Sequence, residues 1–216
     1  MKQPARAGNL WLAKTLWDLG AVQFGDFTLG RSTFHSPIYI NLRLLISKPH
    51  ALRRAARLMH DEVRSLQSMR RPHVAPFERV AGIPFGGLHL ATAFSLSSNT
   101  PMVYIHPAKE RDAITPFLEG IYNRGETVLL LDDLTTSGGN VIEAAAFLGL
   151  SGLNVKDIVV LLDRQEGARE RLRLNGYNLI SILGLESLLN YLMASRKIEE
   201  DWYRKTIDYM NSRRAD

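Results

Sequence analysis

The sequence predicts an α/β fold in which a twisted parallel sheet is flanked by helices on both faces. From about residue 79 onward, short runs of consecutive apolar residues alternate with segments of helical spacing. Strands that are apolar on both sides are typical of parallel sheets buried between helices. The N-terminal region does not follow this rhythm, and we expect it to form a hood or cap beside the sheet rather than a separate domain.

The N-terminal hood spans about residues 9–66. Residues 9–20 place apolar side chains on one helical stripe, with Asn9 as a possible N-cap, and residues 50–66 repeat the pattern. Residues 24–49 predict two short extended pieces around a polar, glycine-containing bend.

The α/β core spans about residues 79–192, and residues 193–216 follow it as a C-terminal helix and tail, all within one domain of residues 1–216. The predicted core strands are 78–82, 101–106, 126–133, 156–164 and 179–184. The predicted core helices are 87–98, 141–152, 168–176 and 185–197. Residues 107–120 are expected to be a charged loop. The tail 199–216 predicts an amphipathic helix that ends in a mobile basic stub without chemistry.

Composition excludes several classes of protein. Of the 216 residues 45% are apolar and 23% are charged, which is ordinary globular usage and not that of a disordered chain. The net charge of +5 favours anionic ligands. The chain has no cysteine, which excludes disulfides, thiolate metal sites and cysteine nucleophiles. No apolar run approaches a signal peptide or a membrane helix, so we expect a cytoplasmic protein without membrane contact.

The strongest chemical signal is a predicted strand that ends in two acids and runs into a loop of small residues. Asp132 and Asp133 end the strand, at the edge where ligands of parallel sheets bind. The loop that follows opens a helix whose free backbone amides suit a phosphate dianion. Two carboxylates beside a phosphate would repel it, so we expect them to hold ribose hydroxyls or a hydrated metal ion. The loop residues are Thr135, Thr136, Ser137, Gly138, Gly139 and Asn140.

A second glycine-rich turn follows the predicted strand 78–82. Its glycines allow a polyanion to approach the backbone closely. Two such turns at neighbouring strand ends favour one ligand with two phosphate groups. Neither turn matches a Walker A loop or a dinucleotide fingerprint, and the six histidines show no metal-ligand spacing. The residues of this turn are Ile83, Pro84, Phe85, Gly86 and Gly87.

From about Asn9 to Leu192, the chain resembles type I phosphoribosyltransferases, and in particular the orotate phosphoribosyltransferase family. The segment DDLTTSGG resembles the motif that binds phosphoribosyl pyrophosphate in these enzymes. The segments 27–49, 82–93 and 159–172 resemble the orotate branch. The resemblance implies a Rossmann-like core with a hood, a homodimer, and Mg²⁺ held through the ligand and water rather than by a protein cage.

The resemblance also implies roles for individual residues. Asp132 and Asp133 match the acidic pair that contacts the ribose hydroxyls. The small-residue loop matches the cradle of the 5′-phosphate, and the turn Ile83–Gly87 resembles the pyrophosphate-binding turn. Arg164 matches the arginine that contacts the orotate ring. Thr136, Phe34, His35 and Ser36 lie in segments near the base in this family.

One segment departs from the family pattern. These enzymes carry a loop similar to R-K-E-x-K-D-x-G, which reaches into the partner subunit's site and neutralises the pyrophosphate. At its arginine and two lysines, this chain has His106, Pro107 and Glu110. Lys109 and Arg111 are the nearby cations that could replace them.

Two hypotheses follow from this departure. In the first, the chain is an active transferase for orotate or a related pyrimidine in UMP biosynthesis, with Lys109 and Arg111 as its loop cations. In the second, it is an impaired relative that binds phosphoribosyl pyrophosphate or a nucleotide in a sensing role. We do not expect a nucleic-acid partner, because the sequence shows no helix-turn-helix and scattered arginines are typical of a solvated face.

Overall fold

A computed structural model of the chain describes residues 7–29, 33–106 and 117–215. Its helices are α1 (Ala7–Asp18), α2 (Pro49–Gln67), α3 (Gly86–Ser98), α4 (Gly139–Leu150), α5 (Ala168–Leu174), α6 (Leu185–Ala194) and α7 (Glu200–Ala215), with a 3-10 helix at Leu42–Ser47. Its strands are β1 (Val22–Leu29), β2 (Thr33–Ile40), β3 (Arg79–Gly82), β4 (Met102–His106), β5 (Phe117–Glu119), β6 (Thr127–Thr135), β7 (Asn154–Asp163) and β8 (Asn178–Gly184).

The main sheet has six strands in the order β5-β4-β3-β6-β7-β8. All neighbouring pairs are parallel except β4 and β5. The chain moves outward from β3 to β4 and then returns to place β6 on the other side of β3. The strand order therefore reverses between β3 and β6, and a crevice opens at the carboxyl ends of these two strands.

Side chains of the central strands alternate between two apolar cores, one on each face of the sheet. Leu129 and Leu131 of β6 belong to the core that includes α2, α3 and α6. Leu130 belongs to the opposite core, which includes residues of α4 and α5. Because both faces are covered, the strands are apolar without interruption, and the predicted fold class of a mainly parallel sheet with flanking helices is confirmed.

The hood contains an antiparallel hairpin of β1 and β2, which is separate from the main sheet. The hairpin packs against α7, where the rings of Phe24 and Trp202 lie 5.7 Å apart between centroids. Helix α1 packs on α6 and β8. The two extended pieces predicted for residues 24–49 correspond to this hairpin.

Four predicted boundaries were wrong. Helix α1 begins at Ala7, so Asn9 lies inside it and is not an N-cap. Strand β6 continues beyond the two acids to Thr135, because two polar residues do not end a strand that is hydrogen-bonded to β7. Part of the predicted loop 107–120 forms β5, a strand too short to show periodicity. Helix α7 continues through Arg213 and Arg214, where a mobile stub was expected.

No helix among the described residues combines the length and the apolar character that crossing a membrane requires.

The amino-terminal ends of β3 and β6 are joined by an ion pair between Arg79 and Glu126. Glu126 also accepts hydrogen bonds of 2.9 Å from the backbone amide and the side chain of Asn123. These donors, Arg79 first, lower the pKa of Glu126 to about 2. A carboxylate with a lowered pKa stabilises the fold above its unfolded pKa, and this stabilisation is lost as the pH falls toward the folded value.

We expect Glu126→Gln to lower the free energy of unfolding at pH 7. The difference from the wild type should shrink as the pH falls below about 5. Urea unfolding between pH 7 and pH 3 measures it, with the exposed Glu143→Gln in α4 as the control. If the difference in the free energy of unfolding stays constant over this pH range, the lowered pKa of Glu126 is contradicted.

Candidate active site

The turn that follows β3 lies against the acidic end of β6, and the second glycine-rich turn follows β6 directly along the chain. Gly82, the last residue of β3, pairs with Leu131 of β6. The amide of Ile83 then donates a hydrogen bond of 3.0 Å to the carbonyl oxygen of Leu131. The strand order thus places the turn after β3 directly beside the acids of β6, as the sequence predicted for neighbouring strand ends.

Gly86 and Gly87 are required by the packing of this turn. A Cβ on Gly86 would lie 2.1 Å from Oδ2 of Asp133, and one on Gly87 would lie 2.5 Å from the carbonyl oxygen of Leu131. Neither position can therefore carry a side chain unless the end of β6 moves. Both glycines belong to the first turn of α3, which contains no acid and whose N-cap residue makes no side-chain hydrogen bond. The amide of Gly87 interacts with the carboxylate of Asp132, and the other amides of this turn suit an anion.

The other residues of the turn lie at its surface or under it. Ile83 is buried, Pro84 is half-buried, and the side chain of Phe85 is 67% exposed. The peptide bond between Pro84 and Phe85 is cis. Of the five predicted turn residues, Gly86 and Gly87 lie against the acidic pair, and Ile83 is hydrogen-bonded to Leu131 next to it.

Asp132 and Asp133 lie on consecutive positions of β6, one buried and the other half-buried. The amide of Asp133 donates a hydrogen bond of 2.8 Å to Oδ1 of Asp132. Burial raises the pKa of Asp132 well above its usual value, and the charge of Asp133 adds to the rise. Burial also raises the pKa of Asp133, whereas Arg43 favours its charged form. The pair is therefore suited to accept hydrogen bonds from a ligand that brings donors to it.

The predicted phosphate cradle spans the end of β6 and the start of α4. Thr135 is the last residue of β6, and residues 136–138 form the turn. Gly138 has φ +81°, a left-handed conformation that favours glycine. No side chain caps α4, and no acid lies in its first turn. The first amides of α4 and the positive end of its dipole are therefore not compensated by a side chain of the cap or of this turn. Gly139 and Asn140 belong to this helix rather than to the loop that the sequence predicted.

Arg171 of α5 is a cation at this cradle that sequence reasoning missed. A Cβ on Gly139 would lie 3.8 Å from Nη1 of Arg171. The side chain is exposed, and among the described residues no ion pair to it is found. The sequence shows only that Arg171 lies in the helix after the Arg164 segment. Its position next to Gly139 follows from the packing of α5 near the start of α4.

Arg164 and Ser36 are brought together, although 128 positions separate them along the chain. Nη2 of Arg164 donates a hydrogen bond of 2.9 Å to the hydroxyl of Ser36, and both residues are buried. Nε of Arg164 lies 2.7 Å from Oε1 of Glu166. The amide of Arg164 donates to the carbonyl oxygen of Thr135, which links this arginine to the phosphate cradle.

Phe34 and His35 precede Ser36 on β2 and are both exposed, with Phe34 52% accessible. Nδ1 of His35 lies 3.1 Å from the carboxylate of Asp26 on the paired strand. Of the three predicted hood residues, only Ser36 contacts Arg164.

The predicted loop cations Lys109 and Arg111 lie outside the described residues, as do Pro107 and Glu110. His106 is the last residue of β4 and pairs with Phe117 of β5.

The residues at the crevice fit a hydrated Mg²⁺ but not a protein metal cage. The described part of the chain contains no cluster of three metal-ligating side chains. The available donors are the carboxylates of Asp132 and Asp133, and carboxylate oxygen is a ligand type that Mg²⁺ prefers. Mg²⁺ characteristically keeps several waters and binds through one or two carboxylates and substrate phosphates.

Comparison with known proteins assigns the family. No family model matches the chain. The chain is 36% identical over 185 residues to the orotate phosphoribosyltransferase of Pyrococcus abyssi, and the match covers 86% of this chain and 97% of that enzyme. It is 34% identical over 190 residues to the uridine 5′-monophosphate synthase of Bos taurus, covering 88% of this chain. The chain spans only 38% of that longer relative.

A solved structure agrees with the sequence relatives. The chain superimposes on the UMP synthase of Leishmania donovani with a TM-score of 0.82 and 34% sequence identity. The superposition covers 94% of this chain and 42% of that one. The sheet order, the hood and the two glycine-rich turns thus belong to a known architecture, and the chain belongs to the orotate phosphoribosyltransferase family.

Proposed function

We propose that the chain transfers the 5-phosphoribosyl group from phosphoribosyl pyrophosphate to orotate or a related pyrimidine, as a step of UMP biosynthesis. The bond between ribose C1 and the pyrophosphate oxygen breaks, and pyrophosphate leaves with the electron pair. A ring nitrogen of the base forms the new bond to C1. The observation that carries the proposal is the close approach of the glycine-rich start of α3 to an acidic pair whose strand runs directly into a second glycine-rich helix start.

Each group of the ligand has a counterpart in the described residues. The amides of Thr136 to Gly139 would hold the 5′-phosphate, and the turn Ile83–Gly87 would hold the pyrophosphate. Asp132 and Asp133 lie between the two turns and would accept hydrogen bonds from the ribose hydroxyls. Arg164 would hold the base, with Ser36 fixing its guanidinium at 2.9 Å. This arrangement would place the base nitrogen opposite the leaving pyrophosphate, so that catalysis rests on positioning and charge stabilisation.

Mg²⁺ at this site would neutralise charge on the pyrophosphate, with Asp132 and Asp133 holding it through water. Lys109 and Arg111 would supply further positive charge to the leaving group, in place of the lysines found in the family. We further propose that the active form is a homodimer in the cytoplasm, with each such loop acting in the partner's site. The relatives compared above give no support to the alternative of an impaired sensing protein.

A steady-state assay of pyrophosphate release from phosphoribosyl pyrophosphate, orotate and Mg²⁺ tests the proposal. We expect turnover by the wild type and a loss of at least about 100-fold in the double variant Asp132→Asn/Asp133→Asn, because two charge-assisted contacts to the ribose are lost. The exposed Glu143→Gln is the matched control and should retain full activity. Absence of wild-type turnover, or a fully active double variant, would contradict the proposal.

Arg171→Ala should raise the KM for phosphoribosyl pyrophosphate about tenfold, because one charge-assisted contact to the 5′-phosphate is lost. Arg173→Ala, two positions along α5, removes the same charge from an arginine that is paired with Glu170 at 2.7 Å. It should leave this KM unchanged. Equal effects of the two variants would assign the loss to net charge rather than to a contact.

Burial of Asp132 lowers the free energy of unfolding of the chain when no ligand is bound. Because the pKa of this carboxyl is raised in the folded state, the free energy of unfolding decreases as the pH rises from about 4 through the raised value. Asp132→Asn removes the charge and keeps an oxygen that can accept from the amide of Asp133. We expect this variant to melt about 2–4 °C above the wild type at pH 7.

The gap in melting temperature should close toward pH 4, and calorimetric scans at both pH values measure it. The exposed Asp61→Asn in α2 is the control and should match the wild type. A variant that melts below the wild type at pH 7 would overturn this account of the acidic pair.

A further inference from the structure

The last turn of α7 lies on the loop that follows β7, which carries Arg164. Nε of Arg214 donates a hydrogen bond of 2.6 Å to the carbonyl oxygen of Gln165. Met210 and Thr206, about one and two turns earlier in α7, are buried. The helix is therefore anchored along its length, and its C-terminal arginine reaches a backbone atom adjacent to Arg164.

Gln165 is hydrogen-bonded through its backbone amide, its backbone carbonyl and its side-chain oxygen. It has φ +61°, a left-handed conformation that residues other than glycine rarely adopt. Its amide donates 2.7 Å to Oδ1 of Asp163, and its Oε1 accepts 2.8 Å from the amide of Glu186. The bond from Arg214 completes this set. A backbone in such a conformation persists where its surroundings determine it.

Glu166 forms an ion pair with Arg164 from the other side of Gln165, although Nε and Oε1 are not aligned for a hydrogen bond. The two side chains are 3% and 4% exposed, and their charged atoms lie 2.7 Å apart. Burial raises the pKa of Glu166, while the charges of Arg164 and then Arg213 act against that rise. A buried ion pair depends strongly on its geometry, because loss of alignment leaves two desolvated charges. The conformation of the loop that carries Gln165 and Glu166 therefore bears on the direction of the Arg164 guanidinium.

We propose that the C-terminal turn of α7, through Arg214, is a positioning element for the base-binding Arg164. Arg214 does not touch the reacting atoms. It fixes the backbone of Gln165, the residue that follows Arg164. Because this hydrogen bond ends next to Arg164, we expect its effect to be confined to the base. The role in base binding rests on the proposed function.

The first test compares Arg214→Ala with Arg214→Lys and with Arg204→Ala, a control in the same helix whose side chain pairs with Glu200 at the surface. We expect Arg214→Ala to raise the KM for orotate about tenfold. The KM for phosphoribosyl pyrophosphate should stay within about twofold. Arg214→Lys, which keeps a charged donor, should recover part of the loss, and Arg204→Ala should match the wild type. Equal increases for both substrates, or no increase for orotate, would overturn the proposal.

The second test does not depend on turnover. Amide hydrogen exchange in the peptide that contains residues 163–167 should be faster in Arg214→Ala than in the wild type, since the amides of Arg164 and Gln165 are both hydrogen-bonded in the ordered loop. Unchanged exchange would overturn the positioning role, whatever the activity. A wild type without turnover would instead contradict the proposed function, and exchange alone would then decide whether the helix orders the loop.

Discussion

The site depends on how closely the start of α3 approaches the end of β6. At Gly86 a Cβ would lie 2.1 Å from the carboxylate of Asp133. This contact requires glycine and brings the start of one helix against the acidic pair. Strand β6 then runs into a second helix start at Gly139, which no side chain caps. We propose that each helix start binds one anionic group of the same ligand, with the acidic pair on its hydroxyl-bearing sugar.

The pKa shifts of the carboxyl groups also distinguish the two edges of the sheet. Burial of Asp132 and Asp133 raises the pKa of each carboxyl, because the described residues compensate their negative charge poorly. Such destabilisation is typical of sites whose groups are arranged for a ligand rather than for the free protein. By contrast, Glu126, at the opposite end of the sheet, has a lowered pKa and stabilises the fold. The pKa of a carboxyl group is therefore lowered at one edge of the sheet and raised at the other, where we propose that the ligand binds.

The fold class and most elements were predictable because apolar strands, helical stripes and glycine turns are local signals. The meeting of Gly86 with Asp133 followed from topology, since parallel strands that are neighbours share an edge. The contact of Ser36 with Arg164 was implied only by family resemblance, because 128 positions separate the two residues. The sequence did not indicate a role for three residues, Arg171, Glu166 and Arg214. A sequence alone does not distinguish a charged side chain that contacts only solvent from one that contacts a site. The three-residue β5 gave no periodicity to detect.

The most direct test of this account is a crystal structure of the chain with orotidine 5′-monophosphate, the nucleotide formed from orotate. The account predicts phosphate oxygens within hydrogen-bond distance of the amides of Thr136 to Gly139, ribose hydroxyls on Asp132 and Asp133, and the base against Arg164. A phosphate bound elsewhere, for example in the cavity of about 660 Å³ beside Arg196 and Lys197, would contradict it. So would a nucleotide seated in the cradle with its base directed away from Arg164.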